Sequence, residues 1–454
     1  MNSSTPTIER LGAGRTLLAL GIALRILVFA LLSPLNNDPG HFDVVRYIAR
    51  HWALPAAALN TQSYQPPLYY LLAAPLYAAT GSLKWVQALS LALSILTLFV
   101  IYRLLYTDKL LADERPRRYA FLLACFLPQF VMFGLYVSND ALAVFMGALI
   151  VAQVARFAAK PTLGPAVLLA VLVGMGLLTK ATFLALLPVL FVLVAFVLLR
   201  RGHPARKAFA AALALSFLAA GLGSWTFVRN YRQVKNPFFS NLDQGYPWVA
   251  AQQRSYRGAI TFFDVNLWKL LASPAVSTKT EGAYPLLLYG TFWYQHIPES
   301  NFTGDRRALF NYLGSVIFVL ALVPTLAFFV GLFLLLRRLP RFLATCDLSQ
   351  PEDRRLLVAL VAVSFLFGNL ALIIAVALKY HVWTLMQGRL LFPSFCGLLV
   401  PFGIGVGAFA GDDPARPDPP SRALLQAAMV ALVVCFGLYF SSEISHLLGG
   451  WPFF

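Results

Sequence analysis

Residues 181–199 read ATFLALLPVLFVLVAFVLL, a run without a single charged side chain. A helix of this length is about 30 Å long, which matches the hydrocarbon core of a lipid bilayer. The strands of a membrane barrel would instead alternate apolar and polar residues, and this run does not. The stretch therefore predicts a transmembrane α-helix.

Ten further apolar runs share this character. They predict helices at 15–33, 84–106, 119–137, 141–157, 163–178, 208–227, 308–336, 355–378, 390–409 and 422–440. Of the 454 residues, 59% are apolar and only 12% are charged, which is about half the charge of a soluble domain. This composition excludes a soluble enzyme and a disordered chain. It predicts an all-α polytopic membrane protein with about 11 transmembrane helices.

The basic residues predict the orientation of these helices. With the N-terminus inside, the cytoplasmic segments hold 20 Lys and Arg, and the short outer loops hold five. Because cytoplasmic loops carry the excess of basic residues, we expect a cytoplasmic N-terminus. The net charge of +17 follows from the same rule, so it does not indicate a nucleic-acid partner.

Two longer segments are expected on the outer face. Residues 34–83 form the first outer loop. Within it, the run 66–80 is too short to span the membrane comfortably, so we expect an interfacial or re-entrant helix. Residues 228–307 form an aromatic-rich loop, whose stretch 284–294 predicts a helix at the membrane surface. The predicted division of the chain is an N-terminal transmembrane module at 1–227, this aromatic-rich loop, and C-terminal transmembrane helices at 308–454.

Carboxylates on the outer face are candidate catalytic groups. Asp38 and Asp43, with His41 between them, follow the first helix, and Asp140 lies between the third and fourth helices. An unpaired carboxylate is costly at membrane depth, so each of these residues marks either a site or a helix cap. For Asp140 both interpretations stay open. The local density of Asp and His favours a site at Asp38.

Basic residues stand at the predicted outer ends of several helices. They are Lys180, Arg229, Arg232, Lys379 and Arg389. One interpretation is a converging cationic pocket for a phosphate or pyrophosphate, and the other is snorkelling to lipid head groups. Arg25 lies deep in the first helix, where we expect it to pair inside the bundle or to contact a lipid phosphate.

Metal and cofactor signatures are weak. His41, His296 and His381 fall on the outer face without metal-ligand spacing, and no nucleotide-binding glycine motif occurs. The sequence therefore indicates no metal site and no certain cofactor, and it leaves a divalent metal open. The four cysteines are expected to be small buried hydrophobic residues without a disulfide framework.

Several stretches together resemble one membrane enzyme family. NNDPGHFDVVRYIARHWALP (36–55) and YQPPLYYLLAAPLYAATG (64–81) are similar to the first outer loop of GT-C fold glycosyltransferases. More narrowly, they are similar to the bacterial branch near the protein O-mannosyltransferases and the lipid A aminoarabinose transferase. Further agreement comes, in the order of the family, from LPQFVMFGLYVSNDALAVF (127–145), GLLTKATFLALLPVL (176–190), WTFVRNYRQVKNPF (225–238) and QGRLLFPSFCGLLVPFG (387–403).

This resemblance implies a polyprenyl-phosphate sugar donor, used on the outer face of the bacterial cytoplasmic (inner) membrane. Family members carry Asp-Glu in the first outer loop where this chain has Asn37-Asp38, so the catalytic base is Asp38 or Asp43, with Asp38 preferred. The resemblance matches Asp140 to the acid of the second outer loop and Gln65 to a segment near the donor head group. It further implies that Lys180, Arg229 and Arg389 hold the donor phosphate.

The expected reaction is an inverting displacement with an Asp general base, which transfers the sugar to an acceptor hydroxyl. Asp140 is expected to position the acceptor or His41. The candidate acceptor contacts in the aromatic-rich loop are Tyr294, His296 and Glu299. The acceptor itself is open between a lipid-linked glycan, lipid A, a wall polymer and a protein. A lipid or glycolipid transporter or flippase, and a polysaccharide-polymerising GT-C relative, are the alternative functions.

Overall fold

The computed structural model describes residues 6–35, 38–271, 276–295, 304–410 and 420–447. Every extended regular element in these ranges is helical. The first ten α-helices are α1 Pro6–Leu31, α2 Pro39–His51, α3 Leu68–Thr80, α4 Leu83–Tyr102, α5 Glu114–Phe126, α6 Pro128–Phe133, α7 Asn139–Ala159, α8 Leu163–Leu177, α9 Leu186–Arg200 and α10 Ala205–Gly223.

Nine more α-helices complete the described part of the chain. They are α11 Trp225–Val234, α12 Pro247–Gln253, α13 Trp268–Leu271, α14 Tyr284–Trp293, α15 Gly304–Leu320, α16 Leu322–Thr345, α17 Pro351–Tyr380, α18 Phe395–Ala410 and α19 Pro420–Leu447. Tighter 3₁₀ turns lie between them, and two of these, Ala181–Ala185 and Gly388–Ser394, matter for the site.

Within the described ranges, nine helical stretches are long and apolar enough to cross a membrane. Each coincides with one of the eleven predicted spans, so the chain is an all-α polytopic membrane protein. The other two predicted spans are shorter helices. Helix α8 has 15 residues, a length of about 22 Å. The predicted helix at 119–137 is interrupted before Pro128, which begins α6, because proline cannot donate a hydrogen bond in a helix interior.

Arg25 of α1 stabilises the break between α5 and α6. Its guanidinium is fully buried and donates to the carbonyls of Ala124 and Cys125, each at 2.9 Å. The interrupted helix leaves these carbonyls without helical partners, which is costly away from water. Arg25 also donates to Ser94 Oγ at 2.9 Å. It therefore pairs inside the bundle, which was the first of the two expectations for it.

The two short helices predicted for the outer face both form. Helix α3 covers the run at 66–80 with 13 residues, as expected for a run too short to span. Helix α14 forms where it is predicted, and Tyr284, Leu287 and Tyr294 are fully buried within the protein; its place at the membrane surface stays a prediction. Its aromatic side chains find partners inside the protein.

Candidate functional site

A buried carboxylate shared by two cations marks the centre of the candidate site. The Asp140 side chain is only 7% exposed, and Lys180 Nζ contacts its Oδ1 atom. Arg389 Nη1 lies 3.4 Å from the Oδ2 atom. We call these three residues the Asp140 cluster. It carries an excess of one positive charge, which suits it to bind an anion.

Each member of the Asp140 cluster stands at the end of a helix. Asp140 is in the first turn of α7, where Ser138 caps the helix with its side chain; Asp140 itself is therefore not the cap. Lys180 joins α8 to the turn Ala181–Ala185. Asp140 and Lys180 are both buried, so these helix ends bring their polar side chains together inside the protein.

Arg389 is positioned by close packing of its turn on α7. A Cβ atom at Gly147 would overlap the carbonyl oxygen of Pro393, so the turn Gly388–Ser394 can reach α7 only because residue 147 is glycine. Arg389 Nε donates to Gln387 Oε1 at 2.7 Å, and its guanidinium lies 4.7 Å from the centre of the Phe133 ring. Helix α7 thus carries Asp140 and also packs against the segment that contains Arg389.

Asp38 caps α2 and keeps room for one more hydrogen bond. Its Oδ1 atom accepts from the Gly40 backbone at 2.8 Å and from Thr61 Oγ1 at 3.2 Å. Its Oδ2 atom accepts from Gln62 Nε2 at 2.6 Å. A carboxylate has about four acceptor positions, so about one remains for a substrate hydroxyl. The cap fixes the carboxylate without saturating it.

His41 is close enough to Asp38 and to the Asp140 cluster to interact with the charges of both. Its Nδ1 atom is 2.7 Å from the Tyr70 hydroxyl. Burial lowers the pKa of His41 from 6.5 to about 4; the charges of Asp38 and Asp140 oppose this shift, while Arg389 and Lys180 add to it. The imidazole is therefore neutral near pH 7, and it shares one electrostatic environment with both carboxylates.

Residues 62–65 connect Asp38 to α7. Gln65 Nε2 donates to Gln62 Oε1 at 3.2 Å, and Asn139 Nδ2 donates to Gln65 Oε1 at 3.3 Å. Because Gln62 also donates to Asp38, a continuous series of side-chain hydrogen bonds runs from Asp38 to the residue before Asp140. Gln65 therefore lies between the two predicted acids.

Arg229 of α11 approaches the same segment. Its Nη2 atom donates to the Ser63 carbonyl at 2.9 Å, and the neighbouring Asn230 donates to the Tyr64 carbonyl at 3.3 Å. Burial lowers the pKa of Arg229 to about 10, so it stays protonated at pH 7. No carboxylate pairs with it in the described part of the chain. Arg229 is a third cation of the candidate site, after Lys180 and Arg389.

Other predicted polar residues are placed away from the Asp140 cluster. The Asp43 side chain is 53% exposed and lies 3.9 Å from Arg46 on the outer face of α2. Arg232 and Lys379 are exposed, and Lys379 donates to the Tyr380 hydroxyl. Of the two candidate bases, only Asp38 is thus joined by hydrogen bonds to the residues around the cluster.

Tyr294, one of the predicted acceptor contacts, does not join the cluster either. The Tyr294 ring is fully buried and packs against Phe318, Phe310 and Tyr439 at centroid distances of 6.0, 6.1 and 5.7 Å. This position is inside the helical bundle, because the aromatic segment folds inward. His296 and Glu299 lie outside the described residues.

Three contributing residues were not predicted: Thr61, Gln62 and Tyr70. Thr61 and Gln62 bond to Asp38, and Tyr70 bonds to His41. The polar run Thr61–Gln65 directly before an apolar helix was the available signal. In the described ranges, no group of three or more His, Cys, Asp and Glu residues is arranged to hold a metal ion.

An apolar groove begins beside the turn that carries Arg389. It has a volume of about 490 Å³ and runs between α14, α16, α17 and α18. Leu391 and Phe292 line it, and Leu391 is two residues from Arg389. Phe329 and Leu322 line it further along, and both are exposed on the surface of α16. The groove is therefore lined in part by the turn that carries Arg389, and it reaches exposed apolar residues of α16.

Comparison with known proteins supports the fold. No family model and no curated protein sequence matches the chain. Among solved structures, the archaeal oligosaccharyltransferase AglB from Archaeoglobus fulgidus, in complex with an inhibitory peptide and a dolichol-phosphate, aligns at a TM-score of 0.51 and 13% identity. The match covers 98% of this chain but 56% of that protein, so the chain spans little more than half the length of AglB.

A second solved structure is ArnT from Cupriavidus metallidurans bound to undecaprenyl phosphate. It has 13% identity and a TM-score of 0.38, and the match covers 93% of this chain and 88% of ArnT. A TM-score this low supports no argument by itself, and identities at this level show the fold alone. The fold that AglB shares with this chain is the one implied by the sequence: the protein has a GT-C-type fold.

Proposed function

We propose that the protein is an integral membrane glycosyltransferase that moves a sugar from a polyprenyl-phosphate donor to an acceptor hydroxyl. The observation that carries this proposal is the Asp140 cluster, with its excess positive charge, beside the hydrogen-bonded but unsaturated carboxylate of Asp38. An anion-binding centre and a general base are the two groups that this reaction requires.

The donor phosphate would bind to Lys180 and Arg389, with Arg229 contributing from the other side of residues 62–65. The phosphate gains negative charge as the bond to the sugar breaks. Cations stabilise this developing charge more strongly in the transition state than in the ground state. Asp140 holds the two cations of the cluster together, so that their charges need not be brought together when the donor binds.

Asp38 would act as the general base. The acceptor oxygen attacks the anomeric carbon, and the bond from that carbon to the phosphate oxygen breaks. The phosphate leaves with the bonding electron pair, and the hydroxyl proton passes to Asp38. Attack opposite to the leaving group inverts the anomeric centre. The neutral His41 and Asp140 would help to orient the acceptor.

The apolar groove suits the prenyl chain of the donor. It starts next to the turn of Arg389 and opens toward lipid, as a phosphate bound at Arg389 with a hydrocarbon tail would need. AglB is described with a dolichol-phosphate, which supports the same donor class here. Because the chain covers 56% of AglB, the acceptor is not inferred from that protein.

The active site would face the outside of a bacterial inner membrane. Asp38 follows α1, Asp140 begins α7, and Lys180 follows α8, and all three positions are outer ends under the predicted orientation. A lipid-linked donor used there needs no nucleotide, which agrees with the absence of a nucleotide-binding glycine motif in the sequence.

The test compares the wild-type chain with Asp38→Asn and with the control Asp43→Asn. Asparagine is as good an N-cap as aspartate, so the variant should fold, but it cannot accept a proton. We expect mass spectrometry to find a polyprenyl-phosphate monosaccharide enriched on Asp38→Asn. Purified wild-type and Asp43→Asn proteins should transfer the sugar, and Asp38→Asn should not.

Other results would point elsewhere. Transfer by Asp38→Asn at the wild-type rate would contradict the base assignment. Ordinary phospholipid on every variant, with no transfer, would contradict the enzyme and favour a transporter or flippase. A long lipid-linked oligosaccharide on the protein would identify a polymerising relative of the same fold.

A further inference from the structure

A second basic site lies on α2, away from the Asp140 cluster. It is a cavity of about 400 Å³ between the exposed faces of α2 and α3. We call it the α2–α3 pocket; its lining residues are Asp43, Arg46, Tyr47, Arg50, His51 and Tyr77. None of them contributes to the hydrogen bonds or ion pairs of the candidate site described above.

The candidate site includes the starts of one helix pair, and the pocket extends along the same pair toward its ends. Near the helix starts, His41 of α2 bonds to Tyr70 of α3. Near their ends, His51 and Tyr77 line the pocket together. The two helices therefore run in the same direction. At 1.5 Å per residue, Arg46 lies about 12 Å and Arg50 about 18 Å from Asp38 along the helix axis.

The charge in the α2–α3 pocket is positive and weakly neutralised. Arg46 and Arg50 are one helical turn apart. The carboxylate near Arg46 is Asp43, at 3.9 Å and half exposed, and no ion pair to Arg50 occurs in the part of the chain that the structure describes. Two guanidinium groups against one carboxylate favour a phosphate, which arginine binds in a bidentate manner.

The surroundings place this charge at the edge of a lipid-facing surface. Leu71, Leu72 and Leu76 of α3 are exposed by 45%, 46% and 36%, and Trp52, at the end of α2, is 71% exposed. Exposed leucines on a membrane protein contact acyl chains, and Trp and Tyr prefer the level of the head groups. A phosphate at this height, beside an acyl surface, belongs to an amphiphile.

We propose that the α2–α3 pocket binds the phosphate group of an anionic amphiphile at the membrane surface. Arg46 and Arg50 line one cavity together with Tyr47 and Tyr77, so both guanidinium groups can reach the same phosphate. This binding does not depend on the proposed transfer reaction, so the two proposals can fail separately.

The test measures lipid binding in the α2–α3 pocket directly, by crosslinking from its lining. The full chain, with the photo-crosslinking residue p-benzoylphenylalanine in place of Tyr77, is reconstituted with phosphatidylglycerol or with phosphatidylcholine and irradiated. We expect mass spectrometry to show crosslinking mainly to phosphatidylglycerol. Arg46→Gln together with Arg50→Gln should reduce that crosslink about tenfold. The Lys pair Arg46→Lys and Arg50→Lys should reduce it less, because charge remains without bidentate geometry.

A matched control is the pair Arg337→Gln and Arg341→Gln. These residues are exposed on α16 at the same spacing, and their loss should leave the Tyr77 crosslink unchanged. Competition by excess inorganic phosphate would show that the phosphate group alone suffices, and resistance to it would show that the lipid head group is required. Equal crosslinking to both lipids, or an undiminished crosslink in the Gln pair, would overturn the proposal.

Discussion

Asp140 and Arg389 are separated by 249 positions in the chain, yet Arg389 Nη1 lies 3.4 Å from Asp140 Oδ2. Lys180 reaches the other oxygen of the same carboxylate from 40 positions away. Three helix ends that are remote in sequence thus meet at one buried charge. This convergence gives the three side chains a net charge of +1 at one buried position.

The first prediction concerns the coupling within the Asp140 cluster. Lys180→Met should destabilise the protein by about 3 kcal/mol, because it leaves the buried carboxylate with only the longer contact to Arg389. Asp140→Asn in the same chain should recover most of that loss, since no buried charge is then unpaired. Chemical unfolding of the single and double variants measures this coupling. Strictly additive losses would show that the two residues do not interact.

Gly147 offers a test of how Arg389 is positioned. Gly147→Ala places a Cβ atom against the Pro393 carbonyl, so it should displace the turn that carries Arg389 and weaken donor binding about tenfold. Titration with a polyprenyl phosphate measures the affinity. Gly164→Ala is the control, because no atom lies within 4 Å of a Cβ there. Equal affinities in all three proteins would show that Gly147 does not help to position Arg389.

A third prediction follows from the pKa of His41, which burial lowers from 6.5 to about 4. As the pH falls, the unfolded state takes up the His41 proton before the folded state does. The neutral His41 therefore makes its full contribution to the free energy of unfolding above about pH 6.5. That contribution is lost as pH falls toward 4 and amounts to about 3 kcal/mol at most. Unfolding free energies between pH 7 and pH 4 should therefore fall more in the wild type than in His41→Gln.

The matched control for this pH effect is His51→Gln. His51 is on the same helix and exposed, so its removal should leave the wild-type pH dependence intact. If His41→Gln lost stability with acid as steeply as the wild type, the loss would belong to other groups.

Arg25 provides a prediction for the fold. Arg25→Met should lower the free energy of unfolding by about 3 kcal/mol, because the Ala124 and Cys125 carbonyls lose their donor in a place that water does not reach. Thermal unfolding in detergent would show the change. Arg15→Met, at an exposed position on the same helix, should have little effect. Similar midpoints for both variants would mean that the helix break is satisfied in another way.

Much of the architecture was predictable because a bilayer imposes a simple rule on sequence. Nine predicted spans recur as helices of spanning length, since any run of about 20 apolar residues must satisfy its backbone internally. The interruption before Pro128 was missed, because nothing local shows that Arg25, about 100 positions away, compensates for it. The aromatic composition of α14 fits a membrane surface and a protein interior equally well.

The residues of the candidate site were also only partly predictable from the sequence. Asp38, Asp140, Lys180, Arg229 and Arg389 were identified from charges at predicted outer helix ends and from the resemblance to GT-C enzymes. Thr61, Gln62 and Tyr70 were not, because a polar residue in a loop carries no sign of its partner. The sequence favoured Asp38 over Asp43 as the catalytic base but did not decide between them, because side chains five residues apart at the start of a helix can point to either side of it.

By itself, the sequence determined that the chain crosses a membrane many times, as α-helices, with its basic residues in excess on one side and a smaller set of acids and bases at the opposite helix ends. Hydrophobic run length and charge placement are local properties, and the bilayer acts on them directly. Only the tertiary structure decided which charged residues meet. That depends on close helix packing, such as Gly147 against Pro393, and on hydrogen bonds between remote segments, such as Gln62 with Asp38. The tertiary structure also placed Asp43 with Arg46 outside the candidate site.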